Sequence, residues 1–196
     1  LPLVEATFAG DRGALERPVL DAWATVNALA ATTTTLRLGT LVSPATFRHP
    51  SNLAKLAVSA DHVSGGRIEL GLGAGWHAGE HAAYGFPFPD IAARMSMFAE
   101  QLEIVHGLLS EDGFAFAGRH YRLEGVDALP KPVQRDGIPL IVGGSGKPGT
   151  VAVAARFARE YNTAFPTVEE ARERRAAAAD AWEREGRDPA TLRFSV

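Results

Sequence analysis

An α/β fold on a parallel sheet is predicted by three observations. Short apolar stretches of strand length alternate with longer stretches of helical periodicity almost throughout. Several of the short stretches end in glycine, and 46% of the residues are hydrophobic with no cysteine to staple a smaller core. Such alternation gives parallel strands with helical crossovers, in an open doubly wound sheet or an eightfold barrel. At 196 residues the chain is long enough for one sizeable core, so a single domain is expected.

Apolar residues at helical spacing over 15–31, through Leu20, Trp23, Val26 and Ala30, predict a first helix closed by the threonine run after Ala31. A strand follows at 36–42 and stops at Ser43-Pro44, because proline cannot continue a central strand. His49-Pro50-Ser51 opens a second helix through Leu53, Leu56, Ala57 and Ala60 that ends near Ser64-Gly65-Gly66. The next strand, 67–73, carries Gly71 and Gly73 at alternate places, which suits a tight barrel interior, and a long loop through Trp76 leads to Pro89.

A helix over 94–109 places Met97, Phe98, Leu102, Val105 and Leu109 along one stripe. Residues 114–116 and 121–123, joined through Gly118-Arg119-His120, read as a surface hairpin. Pro130-Lys131-Pro132 is an extended connector into an apolar strand beginning at Ile138, which empties into Gly143-Gly144-Ser145-Gly146. The helix through 151–155 takes Ser145 or Gly146 as its cap, with Pro148 in its first turn. A short segment at 162–165, a solvated charged helix over 171–187 and a strand at 191–196 complete the order. Beginning at Leu1 and stopping on a strand, the sequence reads as part of a longer protein.

Twenty basic and 23 acidic residues give a net charge of −3, so no overall positive field exists to hold nucleic acid or an anionic membrane. No apolar run approaches the roughly 20 residues of a membrane span, and no leader pattern opens the chain. Zero cysteines exclude disulfides and thiolate chemistry, and a cytoplasmic protein is expected.

The turn at Gly143, Gly144, Ser145 and Gly146 is a candidate anion corner: glycine lets the backbone approach a ligand, and a following helix aims unpaired N–H groups at it. A plain strand-to-helix turn is the alternative, and the spacing is neither the P-loop nor the Rossmann order. The stretch through Gly73, Gly75, Trp76, His77, Glu80 and His81 forms a second strand-end loop. In both α/β architectures ligands gather at the carboxyl ends of the strands, so the two loops outline one site. Trp76 reads as a flat wall against a planar cofactor or as a plug of the barrel mouth. His77 reads as a donor to a ring carbonyl, a proton shuttle or an idle loop residue. A metal on His77 and His81 is not expected, since the order is not that of zinc proteases and no third ligand stands out. Serine hydrolysis lacks its elbow motif. His49 reads as structural at a helix start, with Arg48 beside it as a candidate for an anion.

Five ordered motifs, Leu38-Gly39-Thr40-Leu41-Val42-Ser43-Pro44, Phe47-Arg48-His49-Pro50, Asp61-His62-Val63-Ser64-Gly65-Gly66-Arg67, Gly71-Leu72-Gly73-Ala74-Gly75-Trp76 and Ile141-Val142-Gly143-Gly144-Ser145-Gly146, resemble the bacterial luciferase-like monooxygenase superfamily, nearest its deazaflavin-dependent branch. The resemblance implies a (β/α)8 TIM-type barrel with a flavin or deazaflavin in its carboxyl-end mouth. On it, Thr40, Leu41 and Val42 match a bulge with a non-prolyl cis peptide behind the ring, Gly75, Trp76 and His77 the loop beside it, and 143–146 the grip on the cofactor phosphate. Nothing before Leu15 matches the early strand that supplies polar residues near the ring in this family, so no catalytic residue is assigned. About five of eight strands are recognisable, and residues 1–196 are expected to form one luciferase-like barrel domain lacking its first strands and its last.

The resemblance further implies hydride transfer between the deazaflavin coenzyme F420 and a small organic substrate, in a homodimer. FMN-dependent monooxygenation is the alternative cofactor chemistry. Two other classes stand beside it: a noncatalytic flavin-binding truncated barrel, and a phosphate-binding lyase or isomerase barrel, which calls for lysines or carboxylates at several strand ends.

Overall fold

The computed structural model describes residues 20–196. The readings that fall before Leu20, the first turns of the opening helix and the missing early strand, lie outside those residues. Helix α1 (Ala22–Thr32) begins at an Asp21 cap whose carboxylate accepts the Ala24 N–H, so Leu20, expected on its apolar stripe, precedes it and stands exposed. Strand β1 (Leu38–Pro44) is shifted by two residues from the expected 36–42 and takes in Ser43 and Pro44, which an edge strand tolerates as its last residue, while helix α2 (Pro50–Ser64) and strand β2 (Ile68–Gly73) follow as expected. Helix α3 (Ala78–Tyr84) occupies what reads as loop, because His77 accepts the Glu80 N–H as an N-cap, a role the short sequence signal hides.

Helix α4 (Ile91–Ser110) is capped by Asp90, and the hairpin β3 (Phe114–Ala117) and β4 (Arg122–Val126) pairs only with itself. Strand β5 (Leu140–Gly143) leads to helix α5 (Pro148–Phe157). Neither Ser145 nor Gly146 caps that helix: Lys147, one residue past the last glycine, is the cap residue and makes no side-chain cap bond. Strand β6 (Glu160–Asn162) overlaps the expected 162–165 segment only at Asn162, the rest of that segment being irregular. Helix α6 (Val168–Arg184) opens on a Thr167/Glu170 capping box, and β7 (Arg193–Ser195) closes the order.

The five longer-range strands form one parallel sheet in the order β1-β2-β5-β6-β7, with β1 and β7 at its edges among the described residues. This is part of a (β/α) barrel. Leu70, Leu72, Leu140 and Val142 turn one face of the sheet into a core with Leu53, Phe98, Leu102 and Val105 from the helices. Gly71, Gly73, Ile141 and Gly143 lie on the opposite, inner face, because neighbours along a strand alternate sides.

The 61–67 motif is a brace. Asp61, fully buried, accepts hydrogen bonds from the Val133 amide and the Gln134 side chain, which ties α2 to the connector before β5. Arg67 donates to the carbonyls of Ala30, Thr33, Leu36 and Ser64 and to the Thr33 hydroxyl, closing the C-terminal end of α1 onto the sheet.

Candidate functional site

Three adjacent parallel strands deliver their carboxyl ends to one place. In register, Pro44 lies beside Gly73, and Leu72 beside Val142, so that Gly73 and Gly143 are neighbours. Strand β1 carries a bulge there: Thr40 faces Leu70 and Ser43 faces Leu72, so three steps of β1 answer two of β2. The Leu41-Val42 peptide within it is cis. Leu41 stands 65% exposed at the sheet end, whereas the Val42 side chain lies over the inner face.

That placement explains the alternating glycines. A Cβ on Gly73 would sit 2.8 Å from Val42 Cγ2, one on Gly143 3.0 Å from Val42 Cγ1, and one on Gly71 2.0 Å from the Thr40 carbonyl oxygen. The glycines clear space for the bulge. Beneath it, Trp23 Nε1 donates to Ser43 Oγ at 3.0 Å, Ser43 and Thr40 hydroxyls meet at 3.0 Å, and Thr40 Oγ1 donates to the Gly71 carbonyl at 3.1 Å.

Beside the bulge, Gly75 turns the chain at φ +82, a conformation that favours glycine, and Arg94 holds the turn by donating from Nε to the Gly75 carbonyl at 3.2 Å. The Arg94 guanidinium also donates to the Pro89 carbonyl and lies 3.9 Å over the Phe88 ring. Trp76 is 60% exposed, edge-on to the His77 ring at 5.2 Å, so it is not a buried plug. His77 Nδ1 accepts the Glu80 amide, which leaves its proton on Nε2 in the neutral ring.

His81 is buried and accounted for. Its Nδ1 donates to the His77 carbonyl at 2.7 Å, its Nε2 accepts from the Thr46 hydroxyl at 2.6 Å, and Phe47, Phe86 and Phe88 surround the ring. It anchors α3 to the loop after β1. Among the described residues no group of three or more histidines and carboxylates is arranged to hold a metal.

At the glycine corner two amides are engaged inside the protein. Gly144 N–H donates to the Asn162 carbonyl at 3.0 Å and Gly146 N–H to Tyr161 Oη at 2.8 Å. Gly146, at φ +81, also lies against the Arg174 stem, where a Cβ would meet Cγ at 2.7 Å. Burial pushes the Tyr161 phenol above its usual range, against the opposing pull of the Gly146 amide and the Arg174 charge. The amides of Ser145 and Gly149 have no partner among the described residues, Gly149 standing in the first turn of α5 where the helix leaves N–H groups open. The helix dipole adds positive character there.

Thr40, Leu41, Val42, Gly75, Trp76, His77, Gly143, Gly144, Ser145 and Gly146 thus share the carboxyl end of β1, β2 and β5. Arg48 does not join them with a free charge, since it pairs with Asp21, and His49 caps α2 through the Ser51 amide. Sequence reasoning missed four contributors. Arg94 looked like a helix start, Asn162 like the first residue of a short segment, and Arg174 like one of several solvated arginines, while Tyr161 carried no reading. Asn162 sits in register beside Gly143 and donates to Ser195 Oγ at 2.9 Å.

The sequence profile of the family described as luciferase-like monooxygenase matches residues 4–196. The chain belongs to that family. An uncharacterized protein of Mycobacterium tuberculosis is 33% identical over 144 residues, 74% of this chain and 50% of the relative. An FMNH(2)-dependent dimethylsulfone monooxygenase of Pseudomonas putida is 31% identical over 143 residues, 73% of this chain and 39% of that enzyme. The chain spans half or less of the length of these relatives. Among solved structures, an F420-dependent secondary alcohol dehydrogenase in complex with an F420-acetone adduct superposes with a TM-score of 0.80 at 21% identity, over 89% of this chain and 53% of that one. A long-chain alkane monooxygenase superposes with a TM-score of 0.80 at 17% identity, over 97% and 48%. These two likenesses carry the luciferase-like barrel fold, present here in incomplete form.

Proposed function

We propose that the protein to which these residues belong is an oxidoreductase that transfers a hydride between coenzyme F420 and a small organic substrate. The observation that carries this reading is the mouth itself: a bulge backed by glycines, a turn at Gly75 and a corner with open amides converge at the ends of three neighbouring strands. Such a mouth fits a flat ring with an anionic tail. Val42 and the exposed Leu41 back the ring, Trp76 walls its side, and His77 Nε2–H donates to a ring carbonyl. The amides of Ser145 and Gly149 take the tail phosphate at the helix start.

When bound, the deazaflavin supplies the hydride chemistry; the residues named here orient the ring and keep its mouth in shape. A second reading, monooxygenation with reduced FMN, draws its support from the 31% identity to the FMNH(2)-dependent dimethylsulfone monooxygenase. We expect a small-molecule substrate and a homodimer in either case.

Side-by-side titration of the full-length protein with F420 and FMN, followed by tryptophan quenching, tests the ranking. Tighter F420 binding is expected. Tighter FMN binding reverses it, and binding of neither removes the flavin-type reading.

A further inference from the structure

We propose that Ser43 and Trp23 are positioning residues of the cofactor mouth, fixing the β1 bulge through a one-way chain of buried hydrogen bonds; this rests on the reading that the bulge backs the cofactor ring. In a regular strand residues three apart point to opposite faces. Here the register slips between Thr40 and Ser43, and both hydroxyls turn to the same side of the sheet, toward α1. They meet at 3.0 Å beneath the two residues that separate them.

Proton counting gives the chain its direction. The Gly71 carbonyl only accepts, so Thr40 Oγ1–H donates to it, at 3.1 Å. Thr40 then has no second proton, and Ser43 Oγ–H donates to Thr40. Ser43 in turn accepts from Trp23 Nε1–H, which can only donate, at 3.0 Å. Trp23, Ser43 and Thr40 are 1%, 5% and 7% exposed, so water is poorly placed to replace any of the three bonds.

Each link is buried, and each proton is used once. Removing the Ser43 hydroxyl therefore leaves the indole N–H without an acceptor and Thr40 without a donor in a nearly dry site. The only residues between the two hydroxyls are Leu41 and Val42. Any change in the spacing of Thr40 and Ser43 must move that pair, and Val42 lies so close over Gly71, Gly73 and Gly143 that a Cβ on any of them would come within 3.0 Å of its methyl groups. A chain starting on α1 thus sets the shape of the surface presented at the far side of β1.

The test uses the full-length protein, with the Trp23→Phe, Ser43→Ala and Trp23→Phe/Ser43→Ala variants. It reads the dissociation constants for F420 and FMN, the unfolding midpoint, and the ¹⁵N-indole resonance of Trp23 with and without cofactor. Ser43→Ala is expected to bind the better cofactor about tenfold more weakly while remaining folded, the effect of losing about one buried hydrogen bond. Trp23→Phe is expected to weaken it less, and the double variant to match Ser43→Ala rather than sum the two, as members of one chain do. Cofactor should shift the Trp23 indole resonance in the wild type and not in Ser43→Ala. Wild-type binding with unchanged affinity in a folded Ser43→Ala variant, additive losses, or an indole signal indifferent to cofactor overturns the positioning role. Should Ser43→Ala not fold, Trp23→Phe with unchanged affinity overturns it alone. A wild type that binds neither cofactor overturns the cofactor reading and this role with it.

Discussion

The bulge on β1 and the glycine corner after β5 use the same residue for different ends. At Gly71, Gly73 and Gly143 the missing side chains make room for the bulge itself, Val42 and the Thr40 carbonyl. At Gly144 and Gly146 they make room for Thr150, Tyr161 and Arg174, which come from other elements and close the corner from behind. The first region is filled by its own strand and ends in an exposed Leu41; the second is filled by its neighbours and keeps the amides of Ser145 and Gly149 open. A glycine-rich strand end is thus a packing solution first, and the open groups it leaves define the site.

The contrast breaks most readily at Gly71. Gly71→Ala sets a Cβ 2.0 Å from a backbone oxygen that cannot swing aside, so a loss of about 3 kcal/mol or more is expected in chemical denaturation, along with cofactor binding. Gly144→Val meets the tips of two side chains rather than backbone, Thr150 Cγ2 and Tyr161 Oη, each 2.6 Å from the new Cβ. Its expected loss is smaller, about 2 kcal/mol, and a value equal to that of Gly71→Ala would erase the distinction. Tyr161→Phe removes the acceptor of the Gly146 amide and should cost about 1 kcal/mol, loosening the corner but not the bulge.

The phenol also gives the corner a pH signature. Burial raises the Tyr161 pKa above the usual 10.0, so the protonated ring favours the folded state. Its contribution is complete below pH 10 and is lost as pH climbs through the higher folded value. Thermal midpoints measured from pH 8 upward should fall less steeply for Tyr161→Phe than for the wild type; the half-buried Tyr121, raised in the same way, keeps part of the slope in both. The smallest effect on stability belongs to Trp76→Ala, within about 0.5 kcal/mol of wild type because the ring is exposed. There the loss should appear in cofactor titration alone.

The strand ends were legible because glycine and proline punctuate them: Ser43-Pro44, Gly71 with Gly73, and 143–146 each fall at the carboxyl end of a parallel strand. Periodicity likewise gave α2 and α4 to within a few residues. Helix α3 was hidden because it spans seven residues and its cap is a histidine rather than a common capping residue. The cap of α5 was misplaced because glycine signals a turn without saying where the turn stops. Arg94, Tyr161, Asn162 and Arg174 carry no local signal at all, since their part comes from residues 11 to 19 positions away, as with Arg174 and Thr163 or Arg94 and Gly75, or from a neighbouring strand.

Arg67 makes four of its side-chain hydrogen bonds to main-chain oxygens, those of Ala30, Thr33, Leu36 and Ser64. Such a latch recognises the course of the chain rather than its letters. Thr33 apart, whose hydroxyl is also held, the run it grips is therefore free to drift in sequence as long as the path is kept. Its own planar, forked head is the part without a substitute: Arg67→Lys, with a single compact ammonium, should unfasten the seam between first helix and sheet even though the charge is kept.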